Sequence, residues 1–156
     1  NTYLINRRGV ALQIIRDKKR SFDLEAMLEK PLFAHLATVE GDIPKDSPVW
    51  YHWEENELWI IGTAKDTFPK RIQNNPKCAI GIIDFDCITG KVHHAGFRGT
   101  GTVEPFVSAI AYKIISKYLG KDEAKWDHRF QNLDYSNLLI RFQPKTVVVR
   151  DQSYRI

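Results

Sequence analysis

The sequence predicts a mainly β fold with peripheral helices, arranged as a small antiparallel barrel whose helices pack outside it and at its ends. Seven segments have the apolar runs and bounding turn residues that are typical of strands. The chain has 156 residues, of which 43% are hydrophobic, so it has the length of one domain and enough apolar material for a core. We therefore expect a single domain over residues 1–156, and neither intrinsic disorder nor a disulfide-stapled mini-protein.

The charge balance is mildly basic, with 23 Lys and Arg against 19 Asp and Glu and a formal net charge of +4. Basic residues cluster near the start of the chain, which indicates a solvated helix face, with contact to a polyanion as the alternative. The cluster comprises Arg7, Arg8, Arg16, Lys18, Lys19 and Arg20.

The two cysteines, Cys78 and Cys87, are separated by neither a metal-binding nor a redox spacing. The sequence contains no N-glycosylation sequon, no apolar run that approaches about 18 residues, and no leader-like pattern. We therefore expect a reduced, cytoplasmic protein without a membrane span.

The N-terminal part of the chain is expected to be helical over residues 10–20 and 22–30, so that residues 1–22 form a helical extension of the domain. Asp23 is a suitable N-cap for the second of these helices, and Pro31 ends it.

Three further helical segments are expected. A short helix begins with Thr67 as its N-cap and Pro69 in its first turn. A longer helix covers residues 106–119, where apolar side chains fall on two adjacent i,i+4 rows, and it ends at Gly120. The third segment contains Trp126.

The strands alternate with these helices and turns. Segments 48–53 and 58–63 are separated by a short acidic turn, so they are expected to form a hairpin. The full set of predicted strands is 32–39, 48–53, 58–63, 78–85, 92–103, 138–142 and 146–150.

The stretch 62–71 has the composition of an anion site. A strand ends there, hydroxyl groups follow, and a short helix begins close to the cations Lys65, Lys70 and Arg71. Free helix N-terminal N–H groups, hydroxyl donors and positive charge are what a phosphate group requires. The stretch is not a Walker loop, and the alternative is an ordinary capped helix with surface lysines.

The stretch 47–53 is rich in aromatic residues. Strand alternation places Tyr51 and Trp53 on one face and Trp50 and His52 on the other. A flat aromatic ligand could stack there, although packing in the core is the commoner use of such residues.

Other motifs are weaker. The glycines of segment 96–101 do not have the dinucleotide-binding spacing. His93 and His94 point to opposite faces of a strand, so we expect no metal site. A Gly-Xaa-Ser-Xaa-Gly elbow is absent from the sequence, which leaves a hydrolase unsupported.

Several segments, taken in order, carry a family resemblance. They are Leu32–Val39, Gly41–Pro44, Pro48–Tyr51, Leu58–Thr63, Lys70–Ile80, Gly99–Glu104 and Leu139–Pro144. Together they resemble the pyridoxamine 5′-phosphate oxidase-like family of FMN-binding split barrels, over roughly residues 24–150.

This resemblance implies a six- to seven-stranded antiparallel split barrel and a homodimer that binds two FMN molecules between its subunits. It places Ser47, Pro48, Val49 and Trp50 beside the flavin ring. It assigns the phosphate to Thr63, Lys65, Thr67, Lys70 and Arg71. Trp126 is the candidate to reach the flavin across the interface, and the partner subunit would add Phe97 and Arg98.

The sequence also departs from the vitamin-B6 oxidases. Their Arg-Xaa-Val-Leu-Leu-Lys run is replaced by Ser47–His52, so both basic positions are lost. Their Ser-Arg-Lys phosphate run is not reproduced after Thr63. We therefore expect an FMN-dependent oxidoreductase that acts on a different small molecule, and no residue is singled out as catalytic.

Two alternatives remain open. One is a split barrel that binds flavin, deazaflavin or haem without turnover. The other is a barrel that binds single-stranded nucleic acid through stacking aromatic residues, which the glutamates of the same hairpin disfavour. Those aromatic residues are Trp50, Tyr51, Trp53 and Trp59, and the glutamates are Glu54, Glu55 and Glu57.

Overall fold

The computed structural model describes residues 2–16 and 21–156. The described residues form nine strands and three α-helices. The strands are β1 (Thr2–Ile5), β2 (Ala11–Arg16), β3 (Ala34–Glu40), β4 (Ile43–Val49), β5 (His52–Glu54), β6 (Glu57–Gly62), β7 (Lys77–Asp86), β8 (Lys91–Pro105) and β9 (Leu138–Asp151). The helices are α1 (Leu24–Leu28), α2 (Phe68–Asn74) and α3 (Ser108–Leu119), and short 3-10 turns cover Glu123–Lys125 and His128–Phe130.

Strand β9 is the central strand of the sheet and pairs with three others. One of its edges pairs with β8 along nearly its whole length. Its other edge is shared, because residues 138–142 pair with β6 and residues 146–148 pair with β2. The β2–β9 pairing is parallel, whereas the other pairings are antiparallel. The barrel is therefore split where β9 exchanges one neighbour for the other.

The sheet closes through a two-residue bend. Its strand order runs β1-β2-β9-β8-β7-β3-β4, and the β5–β6 hairpin joins at β9. Strands β4 and β5 lie at opposite ends of this arrangement, yet only Trp50 and Tyr51 separate them in the chain. The sheet must curl for the bend to span its ends, and the curled interior holds buried side chains from most strands, including Leu36, Ile80 and Phe142.

The predicted fold class, β with peripheral helices in a barrel, is confirmed, although the sheet has nine strands and one parallel pairing. The predicted strand 48–53 is divided by the bend between β4 and β5. The two C-terminal strands are one continuous strand, in which the register shifts opposite Arg98 and Gly99. A side chain at Gly99 would collide with the carbonyl oxygen of Gln143, so the close approach there requires glycine.

The predicted helix over residues 10–20 is wrong over residues 11–16, which form β2, and residues 17–20 lie outside the described part of the chain. Leu12 and Ile14 are buried while Ile15 is exposed, which is the two-residue period of a strand. Residues 2–5 form β1 and pair with β2, so the expected helical extension is a hairpin instead. The helices predicted at residues 22–30, after Thr67 and at 106–119 are present as α1, α2 and α3, whereas the segment around Trp126 consists of two 3-10 turns with Trp126 between them. The Asp23 carboxylate accepts a hydrogen bond from the Glu25 N–H at the start of α1.

Within the described residues, no helix is long and apolar enough to cross a membrane.

Helix α3 is attached to the barrel by two consecutive side chains. The Tyr118 hydroxyl donates to the Leu32 carbonyl at 2.6 Å and accepts from the Tyr51 N–H at 3.2 Å. The Lys117 ammonium donates to the Leu28 carbonyl at 2.9 Å and lies 3.5 Å from the centre of the Tyr51 ring. These contacts fix the β4–β5 bend against the helix.

Burial lowers the pKa of Lys117 from 10.5 to about 7, although the nearby Glu29 carboxylate favours the charged form. Between these two pKa values the unfolded chain holds a proton that the folded protein has released. We expect the melting temperature to rise with pH over this range, because below about pH 7 the folded protein carries the full cost of the buried charge. Lys117→Met should reduce this rise, as measured by thermal melts between pH 6.5 and 9.5.

Lys113→Met is the matched control, since Lys113 lies on the same helix in an exposed ion pair with Glu54. This variant should keep the wild-type pH dependence. An unchanged slope in Lys117→Met would contradict the assignment.

Candidate functional site

A cavity of about 720 Å³ lies between β4, the end of β6, α3 and the second 3-10 turn with the residues just after it. Its volume is within the range of about 300–1,000 Å³ that is usual for small-molecule sites. Several predicted site residues line it, namely Ser47, Pro48, Val49, Trp50, Thr63, Lys65 and Thr67. We call this space the β4 cavity.

One wall of the β4 cavity is apolar and the other follows a sheet edge. Ile61, Phe68 and Ile114 contribute to the apolar wall. Strand β4 pairs with β3 and ends the strand order, so its second edge has no strand partner in the described chain. Unpaired backbone N–H and C=O groups along such an edge can bind the polar rim of a flat heteroaromatic ring.

Arg71 lies between β4 and α2 and is 8% exposed. Its guanidinium donates to the hydroxyl oxygens of Thr38 at 2.8 Å and Thr67 at 2.6 Å, with a longer contact of 3.5 Å to Ser47. Within the described residues it makes no ion pair. The pKa of the Glu40 carboxylate is lowered chiefly by Lys45 and also by the nearby Arg71, but the direct contacts of the guanidinium are all to hydroxyl groups. A buried cation without a directly bound carboxylate is costly, so this arrangement favours the binding of an anion.

The hydroxyls of Ser47 and Thr67 have unused donor capacity. Both oxygens accept from Arg71, so their own hydrogens must point to a different acceptor. Neither hydroxyl donates to any group in the part of the chain that the structure describes. The guanidinium has five N–H groups, and two of them also have no acceptor among the described residues. These donors belong to residues that line the β4 cavity or adjoin it.

The residues predicted to hold the phosphate lie in two adjoining cavities, and some of their donors are already used. Lys65 is exposed at the β4 cavity, whereas Lys70 and Arg71 line a neighbouring cavity of about 670 Å³ that shares Thr67. The N–H and hydroxyl of Thr63 both donate to the Asp66 carboxylate, at 2.7 and 3.0 Å. The Thr63 donors are thus used within the loop. Thr67 precedes α2 as expected, but its side chain bonds Arg71 instead of capping the helix.

The aromatic stretch is packed within the protein. Trp50 is held between Tyr118, at 4.5 Å between ring centroids and 5° between planes, and Phe130, at 5.1 Å and 25°. Tyr51 has no exposed surface and Trp53 is 6% exposed. Core packing, the alternative to ligand stacking, therefore describes Tyr51 and Trp53, and these two side chains offer no platform for the bases of a nucleic acid.

Three further predicted residues, Trp126, Phe97 and Arg98, lie away from the β4 cavity. The Trp126 indole N–H donates to the Gly120 carbonyl at 2.7 Å, and its ring lines a neighbouring cavity of about 450 Å³. Phe97 is 1% exposed and packs against Trp53 in the core. Arg98 lies at a separate groove on the outside of the barrel. The described residues contain no group of three or more His, Cys, Asp or Glu side chains that could hold a metal ion.

The structure adds residues that the sequence reasoning missed. Phe130, Arg129 and Leu133 from the 120–137 segment close the β4 cavity, together with Ile114 and Ile115 of α3. The apolar rows of the predicted helix included both isoleucines, so the signal for α3 was present. Nothing in the sequence distinguishes Phe130 from Trp126 as the aromatic residue that reaches the cavity.

No protein-family model matches the sequence, and no curated protein matches it significantly. Solved structures do match. A conserved hypothetical protein from Mycobacterium tuberculosis has a TM-score of 0.71 at 16% identity, covering 87% of this chain and 89% of that chain. An F420 reductase has a TM-score of 0.62 at 26% identity, with coverages of 79% and 94%. A protein from Listeria innocua assigned as a pyridoxamine 5′-phosphate oxidase has a TM-score of 0.61 at 17% identity, with coverages of 84% and 96%.

Further structures of this fold include an FAD-binding protein and a haem storage protein. The resemblance to the split barrels of the pyridoxamine 5′-phosphate oxidase-like proteins is thus confirmed as a likeness of fold.

The hydrogen bond between Arg71 and Thr67 generates a prediction about stability. Thr67→Val leaves a guanidinium N–H without its hydroxyl partner, so we expect the free energy of unfolding to fall by about 1–3 kcal/mol. Thr67→Ser keeps the hydroxyl and should lose much less. Urea denaturation of the three proteins measures the difference, and equal stability of Thr67→Val and the wild type would show that the hydrogen bond contributes nothing.

Proposed function

We propose that the protein binds a phosphate-bearing flavin in the β4 cavity and works as an oxidoreductase on a small molecule. The observation that carries this proposal is the buried Arg71 guanidinium, which holds two cavity hydroxyls whose hydrogens have no acceptor among the described residues. Such a set of donors is suited to phosphate oxygens. FMN is the cofactor that we propose.

The remaining walls fit the rest of a flavin. The free edge of β4 from Ser47 to Val49 offers backbone groups to the polar rim of the isoalloxazine ring. Ile61 and Ile114 offer an apolar surface to the ring. Lys65 lies at the same cavity and can add positive charge near the phosphate. Trp50 contributes to the wall, but its two faces are covered by other rings.

The division of labour follows from these contacts. A bound flavin would supply the hydride and electron transfer chemistry. Arg71 and the hydroxyls of Ser47 and Thr67 would hold its phosphate, and the β4 edge would orient its ring. The apolar wall would keep water from the ring and strengthen the electrostatic contacts within the cavity. The described lining contains no histidine, cysteine or tyrosine, and its two carboxylates, Asp46 and Asp66, contact His35 and Thr63, so we assign no general acid or base.

A deazaflavin is the second candidate cofactor. The neighbour that is 26% identical to this chain is an F420 reductase, and it is matched over 94% of its length. A haem is less well supported at this site, because the described lining residues include none of the His, Cys, Met or Tyr side chains that ligate haem iron. The absorbance spectrum of the protein titrated with each cofactor distinguishes the three.

The Arg71 site is tested with a pair of ligands that differ only in the phosphate. Arg71→Gln should weaken FMN binding roughly 10- to 150-fold, the equivalent of a charge-assisted contact worth about 1.5–3 kcal/mol, and should change riboflavin binding far less. Isothermal titration calorimetry measures both affinities.

Arg155→Gln, at an exposed arginine near the end of the chain, is the matched control and should bind both ligands normally. Lys70→Ala tests whether the neighbouring cavity contributes to the same phosphate. Equal losses for FMN and riboflavin would place the phosphate elsewhere. Failure of the wild-type protein to bind any flavin or deazaflavin would overturn the proposed function.

We further propose a homodimer with the cofactor at the subunit interface. A groove of about 550 Å³ on the outside of the barrel supports the dimer, because small and apolar residues such as Ala37, Val39 and Ala79 line it beside Arg98. Val39 also lines the cavity of Arg71, so this face adjoins the residues that we propose for the phosphate. A second copy of the chain would cover this face.

The dimer proposal is tested by sedimentation equilibrium. The wild-type protein should sediment at about twice the chain mass of 18.1 kDa. Ala79→Glu places a charge in the groove and should shift the equilibrium to the single chain. A wild-type mass of 18.1 kDa in the presence of FMN would remove the interface from the proposal.

A further inference from the structure

Trp50 is the middle ring of a three-ring stack whose outer rings are held differently. Tyr118 is anchored by two hydrogen bonds, one to the Leu32 carbonyl and one from the Tyr51 N–H. Phe130 has no polar group and is tilted by 25° from the Trp50 plane, against 5° for Tyr118. One face of Trp50 is therefore fixed within the fold. The other face is covered by a ring that makes no hydrogen bond and has the neighbouring Arg129 guanidinium 5.4 Å from its centre.

The segment that carries Phe130 is held by apolar packing, including the buried Trp126 ring against Tyr112 of α3, and not by polar contacts with the described part of the barrel. Residues 123–137 form hydrogen bonds and ion pairs in the described chain, and every partner lies within residues 120–137. Gln131 illustrates this, because its side chain donates to the carbonyls of Glu123 and Trp126 at 2.9 and 3.2 Å. Moving Phe130 away from Trp50 thus breaks no hydrogen bond to the barrel.

Phe130 also separates two cavities. It lines the β4 cavity of about 720 Å³ and the neighbouring cavity of about 450 Å³, as do Ile115 and Leu133. If its ring left the stack, the two spaces would join and one face of Trp50 would be exposed within them. The space left on that face of Trp50 would have the thickness and area of one aromatic ring.

The charge around this place is balanced. Arg129 precedes Phe130, and its guanidinium is paired with the Asp127 carboxylate through contacts of 3.1 and 3.2 Å. This exposed pair carries no net charge, so an uncharged ring can lie beside it without an unmatched charge.

We propose that an uncharged, planar aromatic molecule stacks on Trp50 in place of Phe130, and that Phe130 sets the selectivity for this class of ligand. As a statement about the substrate, this inference rests on the proposed function, because the ring would then lie in the same cavity as the cofactor. As a statement about binding, it requires no flavin.

The test uses two ligands of similar size and different shape. 2-Naphthol is planar, aromatic and uncharged at pH 7, whereas decahydro-2-naphthol has the same carbon skeleton but is saturated and thicker. Phe130→Ala removes the competing ring, so its affinity for 2-naphthol should be roughly 3- to 10-fold higher than that of the wild type, from the size of an aromatic pair interaction. Binding of decahydro-2-naphthol should gain less, since it cannot stack. Equilibrium dialysis of the protein without added flavin, and again with FMN, measures both.

Three more variants keep the result interpretable. Phe130→Leu fills the space without stacking and should raise the affinity for 2-naphthol by an intermediate amount. Trp50→Leu should abolish the preference for the planar ligand. Tyr135→Ala, at an exposed residue of the same segment, should behave as the wild type.

Each outcome bears on the proposal. A Phe130→Ala protein that gains equally for both ligands would show that only space was created, and this would overturn it. An unchanged preference in Trp50→Leu would overturn it as well. Planar selectivity in a protein that binds no flavin would support the stacking site while contradicting the proposed function.

Discussion

The rest of this structure depends on strand β9, because β8 pairs with one of its edges while β6 and β2 pair with successive parts of the other. The edge of β9 opposite β8 pairs with β6 from Leu138, which lies opposite Gly62, to Phe142, and with β2 from Thr146 onward. Because β6 leaves the sheet at Gly62, the chain enters an irregular loop at that point, and α2 follows it. The approach is close, since a side chain at Gly62 would meet Pro69 at 2.9 Å. The β4 cavity exists because the strand, loop and helix diverge there.

Within that opening, the buried guanidinium of Arg71 connects architecture to chemistry. Hydroxyl groups from β3, β4 and the start of α2 surround it, so three elements meet at one positive charge. Hydroxyl groups accept hydrogen bonds from the guanidinium but do not neutralise its charge. Elsewhere on the barrel the charges of Lys30 and Lys91 are partly offset, because both side chains pair with the Asp84 carboxylate. The fold therefore retains an unneutralised cation at a place where a ligand can reach its partners.

Much of the barrel could be predicted from the sequence because its strands carry local signals. The run before Glu40 and the hairpin around Glu55 and Asn56 have strand alternation and clear turns. The N-terminal hairpin was missed because its flanking basic residues resemble the polar face of a helix, and the alternation of Leu12 and Ile14 is brief. Local composition also brought Thr67 and Arg71 into one predicted anion site, since they follow one another along the chain, whereas Thr38 and Ser47 reach Arg71 from β3 and β4.

The aromatic contacts could not be found in that way. Trp50, Tyr118 and Phe130 are far apart in sequence, and a 3-10 turn has no repeat long enough to show which side chain faces inward. The residue type of Trp50 was enough to suggest that a flat ring stacks on it. Which ring it contacts depends on how α3, which carries Tyr118, packs against the barrel. Sequence pattern thus located the strand and the loop of the site, but not the surfaces that close it.

The free edge of β4 also affects how the protein behaves in a crowded solution. An exposed strand edge is a template on which another chain can add a strand, and this is a common route to aggregation. Strand β4 contains Pro44 and Pro48, which have no N–H to donate, together with the charged Lys45 and Asp46. These residues make the strand a poor template for a foreign strand while leaving its remaining backbone groups open to a small molecule. Solubility and ligand access are thus two properties of the same seven residues.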